Sequence, residues 1–213
     1  MITPEPITKS ASNIVANPSA SLVLKLRPVF DLTDDEFFAI CQLNRELALE
    51  RTATGGLMIM SPVGGETGSR NSRLNARLYI WTIQDATGVS FDSSTGFNLP
   101  NGATRSPDAA WVRRVRLVHL TQEEKRKFLP LCPDFVVELR SPSDQLSSIQ
   151  AKMREYIDNG AQLGWLLDPT ELKVHIYRPA TAPVILTNPS SVLGDPELPG
   201  FILKMAEIWH PGF

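Results

Sequence analysis

Apolar and polar positions change period several times along the chain, and each change marks an element. Leu22, Leu24 and Leu26 alternate with Val23, Lys25 and Arg27, the two-residue repeat of a short strand. Thr33 and Glu36 form a capping box, and Phe37, Ile40 and Cys41 follow at helical spacing, predicting a helix that ends near Asn44. Leu47 to Arg51 and Leu57 to Met60 read as hairpin arms around Thr54-Gly55-Gly56. After the break at Ser61-Pro62-Val63-Gly64-Gly65, a second helix is predicted from near Glu66 to Ala86, with Gly88 as its left-handed stop. Its first half is polar, with Arg70, Arg73 and Arg77 on one face. Its second half (Leu78-Tyr79-Ile80-Trp81, Ile83) is apolar nearly all round, which predicts burial at the C-terminal end and an open N-terminal end.

Val89 to Leu99 reads as a strand, and Asn101-Gly102 is a hairpin signal that returns the chain into Arg105-Ser106-Pro107-Asp108-Ala109-Ala110-Trp111-Val112. The charged runs Arg113 to Arg116 and Glu123 to Lys127 mark an exposed insertion. Pro133-Asp134-Phe135-Val136-Val137-Glu138-Leu139-Arg140 is the next strand, with Phe135, Val137 and Leu139 on one face and Val136, Glu138 and Arg140 on the other. Ser141-Pro142-Ser143-Asp144 opens a helix, with Ser143 or Asp144 as the cap. Leu146, Ile149, Met153, Tyr156 and Ile157 form its stripe, and Gly160 ends it. Lys152 lies on the flank of that stripe, one turn before Tyr156, where the helix meets the sheet. Gly164 to Leu167 and Leu172 to Tyr177 read as strands joined by a turn at Asp168-Pro169, and a further strand is expected near Val184. Residues 1–20, rich in Pro, Ser, Asn and Ala, are expected to be a loose tail, leaving 21–213 as one domain.

Composition narrows the function. An apolar fraction of 42% supports a sizeable core, and a net charge of −2 argues against gripping nucleic acid by bulk charge alone. The two cysteines, Cys41 and Cys132, form no CxxC pair, and the three histidines show no ligand spacing, so a zinc site is not expected. No secretory signal is read in Met1-Ile2-Thr3-Pro4-Glu5-Pro6 and no apolar run is long enough to span a bilayer, which predicts a cytoplasmic protein with no membrane partner.

Asp108 and Glu138 are carboxylates inside apolar strand segments. A charge placed there costs free energy unless a partner or a metal compensates it, and two such placements in neighbouring strands would make a cation site. The competing readings are simple ion pairs, Asp108 with Arg105 and Glu138 with Arg140.

The order helix, strand, strand, strand, helix, strand, with those carboxylates in the second and third strands, resembles the core of the PD-(D/E)XK phosphodiesterases. Pro107-Asp108 matches "PD", and Glu138-Leu139-Arg140 matches "(D/E)-x-K" with arginine in the last slot. More narrowly, the chain is similar to the Uma-type family of restriction endonucleases. Gly65-Glu66-Thr67-Gly68, Arg105 to Asp108, Pro133 to Glu138, Ser141 to Asp144, Lys152, Tyr156, Gly160, Trp165, Asp168-Pro169 and Leu198-Pro199-Gly200-Phe201 carry that resemblance. It implies an α/β, restriction-endonuclease-like core, a mixed sheet flanked by helices, here with an N-terminal helix and hairpin added. It also implies a Mg²⁺- or Mn²⁺-dependent endonuclease acting on nucleic acid, read as DNA, in which Asp108 and Glu138 hold the metal. Lys152 is the expected lysine, because Arg140 is a poor proton acceptor. Glu66 is a candidate third ligand, or else an anion complementing its helix dipole. Arg70, Arg73 and Arg77 are candidate phosphate contacts, and Arg140 and Tyr156 are auxiliary candidates. A homodimer would allow cutting of both strands. The alternative is an inactive nucleic-acid-binding or assembly module on the same fold. Lys152→Ala is expected to cost orders of magnitude in rate while leaving the melting temperature nearly unchanged.

Overall fold

The computed structural model describes residues 22–212, so the expected tail over 1–20 lies outside the described residues. The first strand, β1 (Leu22–Leu24), precedes α1 (Asp34–Leu43), whose start is the capping box read from the sequence: Glu36 N–H donates to Thr33 Oγ1, and the Glu36 carboxylate accepts from Thr33 N–H at 2.8 Å. The hairpin β2 (Ala48–Arg51) and β3 (Leu57–Met60) follows, then α2 (Gly65–Asp85). The predicted strand over 89–99 is broken in two, β4 (Gly88–Asp92) and β5 (Phe97–Asn98), by a turn in which the Asp92 carboxylate accepts from Ser94. The Asn101-Gly102 turn leads into β6 (Thr104–Arg105), and Ser106-Pro107-Asp108 carries the chain on to β7 (Ala109–Arg113). After α3 (Arg114–Leu117) come β8 (Phe135–Leu139), α4 (Leu146–Asp158), β9 (Leu163–Asp168), β10 (Lys173–Tyr177), β11 (Val184–Thr187), β12 (Ser191–Leu193), β13 (Ile202–Lys204) and α5 (Ala206–Trp209).

The main sheet runs β11-β10-β9-β8-β7-β4, and only β8 and β9 pair in parallel, joined through α4. Every residue of β8 and β9 is buried, as central strands covered on both faces require. Leu74, Leu78 and Trp81 of α2 pack on the face formed by Ala109, Trp111, Phe135, Val137 and Trp165. Met153 and Tyr156 of α4 pack on the opposite face with Ala110, Val136 and Leu166. The C-terminal segment joins the α2 side, where Phe201 stacks on Trp165 at 5.5 Å and 9° between ring planes. A second, antiparallel sheet runs β1-β3-β2-β6-β5. The chain crosses between the two sheets three times, through α2, at Asp92 to Gly96 and at Ser106-Pro107-Asp108, so Asp108 sits at a junction of the two.

Three local expectations are corrected. The left-handed residue ending α2 is Ala86, at φ 59°, and not Gly88, which is a residue of β4. A Cβ at Gly88 would meet the indole of Trp111 at 2.2 Å, so close packing against a core tryptophan is what requires glycine there. The C-terminal half of α2 is not buried all round: Tyr79, Ile80 and Ile83 are 59%, 48% and 60% exposed, because the sheet covers one face only. The cap of α4 is Gln145, since the Asp144 carboxylate is already bound to the Ser141 N–H (2.8 Å) and hydroxyl (2.6 Å). Both cysteines are free, Cys132 buried and Cys41 partly so. Among the described residues no helix is long and apolar enough to cross a membrane.

These corrections predict substitutions of opposite sign two residues apart. Ala86→Gly, which removes a left-handed Cβ, is expected to stabilise the fold by about 1 kcal/mol. Gly88→Ala, which forces the Trp111 ring to move, is expected to destabilise it by roughly 1–3 kcal/mol. Urea unfolding of both variants checks the pair, and the same sign for both would refute it.

Candidate active site

Asp108 immediately precedes β7. Because Ala109 pairs with Val137 in an antiparallel register, one further step along both strands sets Asp108 across from Glu138. The carboxylate is held from two sides: Asn71 of α2 donates its Nδ2 to Oδ1 at 2.9 Å, and the Leu139 N–H donates to Oδ2 at 2.7 Å. Asn75, one turn on from Asn71, donates to the Asp108 carbonyl at 2.9 Å. Burial pushes the Asp108 carboxyl above its ordinary pKa, against those hydrogen bonds and the charge of Lys152.

Glu138 points to the α4 side of the sheet. Its Oε1 accepts from the Tyr156 hydroxyl at 2.9 Å and lies 2.9 Å from Lys152 Nζ, while Oε2 has no hydrogen-bond partner among the described residues. Burial, with Asp108 and Glu50 nearby, raises its pKa to about 7, although Lys152 works in the other direction. Lys152 also donates to Glu50 Oε1 at 2.8 Å and lies 5.9 Å from the centre of the Tyr156 ring. Burial works to neutralise the lysine, but Glu138 and Glu50 together hold it firmly protonated.

Glu50, on β2, is 1% exposed. It accepts from Lys152, from the Ser106 N–H at 2.9 Å and from Arg105 at 3.0 Å. Burial acts to raise its pKa, yet Lys152 and Arg105 keep it below the ordinary value. Arg105 reaches on to Glu155 of α4 at 2.6 Å.

The structure therefore brings Asp108, Glu138, Lys152 and Tyr156 together and removes both simple ion pairs weighed from sequence. Arg105 pairs with Glu50 and Glu155, not Asp108. Arg140 pairs with buried Asp168 at 2.7 Å, not Glu138, so it holds the turn into α4 and stays out of the lysine role. The remaining candidates are corrected by their contacts. Glu66 is 61% exposed and pairs with Arg70 at 3.2 Å, an i,i+4 pair at the start of α2. Arg70 donates to the Ile208 carbonyl, Arg73 to the Pro211 carbonyl, and Arg77 makes a bidentate pair with Glu207. All three arginines bind the C-terminal segment, because their face of α2 is the one α5 covers. The expectation that Lys152→Ala leaves stability unchanged also fails on this geometry, since removing the ammonium leaves two buried carboxylates without their shared partner.

Sequence reading missed Glu50, Asn71, Asn75 and Glu155. Glu50 carried the signal used for the other two carboxylates, a charge within the apolar run Leu47-Ala48-Leu49, but the hairpin was read as an addition to the core. Asn71 and Asn75 show no pattern beyond i,i+4 spacing.

The donor set suits a hard cation. Around Lys152 and Arg105 stand four carboxylates, Glu50, Asp108, Glu138 and Glu155, so when all are ionised the cluster carries an excess of two negative charges. Among the described residues no group of three or more His, Cys, Asp or Glu side chains is arranged as a metal cage. Mg²⁺ does not need one: it takes one or two carboxylates and fills its shell with water and phosphate oxygens. Asp108 and the free Oε2 of Glu138 meet that requirement.

Comparison with known proteins gives the family and the fold. The family described as "Uma2: Putative restriction endonuclease" matches residues 34–206. The chain belongs to this family. Glu50, Asn71, Arg105, Asp108, Glu138, Lys152, Glu155 and Tyr156 lie within the matched span. Among solved structures, "a putative nuclease belonging to DUF820 from Anabaena variabilis ATCC 29413" is similar, with a TM-score of 0.68 and 19% identity over 84% of this chain and 98% of that one. At that identity the likeness establishes the shared fold, the mixed sheet flanked by helices. No curated protein matches the chain.

The shift at Glu138 makes a pH prediction. In the unfolded chain the group ionises near its ordinary 4.5, and in the folded protein at about 7. The folded state holds the proton more tightly, so this contribution to stability is full below pH 4.5 and is lost as pH rises through 7. Glu138→Gln mimics the protonated form. Its stability relative to the parent should rise from pH 4.5 to 7 and level off above, as read by denaturant unfolding across that range. A flat difference would mean that Glu138 is ionised throughout.

Proposed function

We propose that this protein is a metal-dependent endonuclease that hydrolyses DNA phosphodiester bonds at the Asp108–Glu138–Lys152 cluster. Membership of the Uma2 family supports nuclease activity. The observation that carries the chemistry is Lys152 Nζ, 2.9 Å from Glu138 Oε1 and within the electrostatic reach of Asp108.

In this reading Asp108 and Glu138 would hold Mg²⁺ or Mn²⁺. The bound ion would polarise a phosphate oxygen and acidify the attacking water. The chain's own groups do the rest. Asn71 and the Leu139 N–H fix the Asp108 carboxylate, so its geometry is set before substrate arrives. Tyr156 fixes Glu138 and keeps its proton, since burial and the nearby Glu138 raise the phenol well above its ordinary pKa. Lys152 stays charged, so it serves to orient water and to offset negative charge building on the phosphate, not to accept a proton.

Supercoiled plasmid incubated with the protein and Mg²⁺ or Mn²⁺ should be nicked or linearised. Asp108→Asn, Glu138→Gln and Lys152→Ala should each lower the rate by at least about 100-fold. Lys152→Ala should in addition lose roughly 3–5 kcal/mol of stability, so its rate is to be read below its melting temperature. Labelled RNA in parallel separates the two nucleic acids. Cleavage that survives all three substitutions, or nucleic-acid binding by the parent without cleavage under either metal, would replace the nuclease reading with the binding-module one.

A further inference from the structure

We infer that Glu50 is a positioning residue: from the N-terminal hairpin it holds both the ammonium of Lys152 and the segment that presents Asp108. The inference rests on the nuclease reading for its consequence to rate, but the arrangement itself is visible without it.

Glu50 is a charge buried beside the apolar run Leu47-Ala48-Leu49. It stands in a four-residue strand whose neighbours Leu49 and Arg51 are also buried, and its side chain is 1% exposed in the site. Its two oxygens divide the work. Oε1 takes Lys152 Nζ at 2.8 Å and the Ser106 N–H at 2.9 Å, and Oε2 takes Arg105 at 3.0 Å. The first contact draws the lysine from α4 toward β2. The second and third fix Ser106, in the crossing between the sheets, and Arg105, at the end of β6, the residues two and three before Asp108. Without Glu50 the ammonium keeps Glu138 alone, and a four-carbon stem with one partner has several rotamers open to it. Asp108 and Glu138 would remain, but the charge meant for the phosphate would no longer be aimed.

The groups facing Lys152 are Glu50 from β2, Arg105 from β6, Asp108 before β7, Glu138 from β8 and Tyr156 from α4. Among the described residues only Glu50 and Glu138 touch the ammonium, and of these two only Glu50 is left out of the proposed metal ligands. Replacing it therefore removes half of the direct negative charge on Lys152 while leaving the metal ligands in place.

The test uses the full chain with Glu50→Gln, Glu50→Asp and, as a control, Asp108→Asn. Lys152 is labelled with acetic anhydride at mildly alkaline pH and quantified by peptide mass spectrometry, with exposed Lys204 as the internal reference. Plasmid cleavage with Mg²⁺ is followed under single-turnover conditions as a function of pH, and DNA binding is measured in EDTA. In Glu50→Gln, labelling of Lys152 relative to Lys204 should rise at least about 5-fold, because a less tightly paired amine deprotonates more readily. Cleavage should slow at least about 10-fold with unchanged DNA binding, and the alkaline limb of the pH profile should move to lower pH. Glu50→Asp, which keeps the charge on a shorter arm, should restore the alkaline limb and the rate only in part. Labelling and a pH profile identical to the parent would overturn the inference. If Glu50→Gln does not fold, Glu50→Asp carries the test: its shorter arm should still raise the labelling, and parental labelling would overturn the inference. If the parent cleaves no nucleic acid the nuclease reading falls, while the labelling ratio still decides what Glu50 does to Lys152.

Discussion

One ammonium group balances the centre of this fold. Lys152 sits between Glu138, from the middle of the main sheet, and Glu50, from the smaller one, and both carboxylates are almost wholly out of solvent. Charges this deep are tolerated only when paired and hydrogen-bonded. Each neighbour of the lysine has a second contact that anchors it elsewhere: Glu138 to Tyr156, Glu50 to Ser106 and Arg105, and Arg105 to Glu155. The network is thus a bridge between two sheets that share no ladder. It still leaves more negative than positive charge, and burial first, with the nearby Asp108 and Glu50 carboxylates adding to it, lifts the Glu138 pKa to about 7.

The division of labour between the two flanking helices follows from the sheet. The α4 side carries Lys152 and Tyr156, spaced one turn apart and facing the same strand residue. The α2 side carries Asn71 and Asn75, also one turn apart, which reach the end of β7 and hold Asp108 by side chain and by backbone. The next face of α2 is a separate device. Its three arginines bind the carbonyls of Ile208 and Pro211 and the carboxylate of Glu207, so the C-terminal segment is fastened over the tryptophan-rich half of the core.

How much of this was readable depends on range. Elements governed by local chemistry were legible: the capping box at Thr33 and Glu36, the hairpin around Gly55-Gly56, the alternation in β8 and the stripe of α4. The Asp108–Glu138 pairing was legible because a carboxylate within a run such as Phe-Val-Val-Glu-Leu contradicts its surroundings. Partner choice was not legible, because it is decided by contacts distant in the chain. Arg105 and Arg140 are each the nearest cation in sequence to a candidate carboxylate, yet each is drawn to a different acid by tertiary geometry. The arginines of α2 fell to the same limit, since a polar helical face looks alike whether it meets solvent, phosphate or a chain terminus. Ala86 was overlooked for a different reason: a glycine two residues on offered a cheaper left-handed stop, but packing against Trp111 had already claimed it.

The sequence separations inside the network set an order of assembly. Glu138, Tyr156 and Lys152 belong to one strand–helix unit, and their contacts close a short loop. Glu50 meets Lys152 across 102 residues and Arg105 across 55. Loop-closure entropy grows with such separations, and contacts of long range form after local ones have been made. Lys152 and Glu138 should therefore pair early, on a nascent sheet edge, and the hairpin bearing Glu50 should dock onto them late. A chain emerging in order from its N-terminus exposes the Glu50 hairpin well before Arg105 and Lys152 exist, so this small apolar element must wait for 102 further residues before its buried charge is held by both cations.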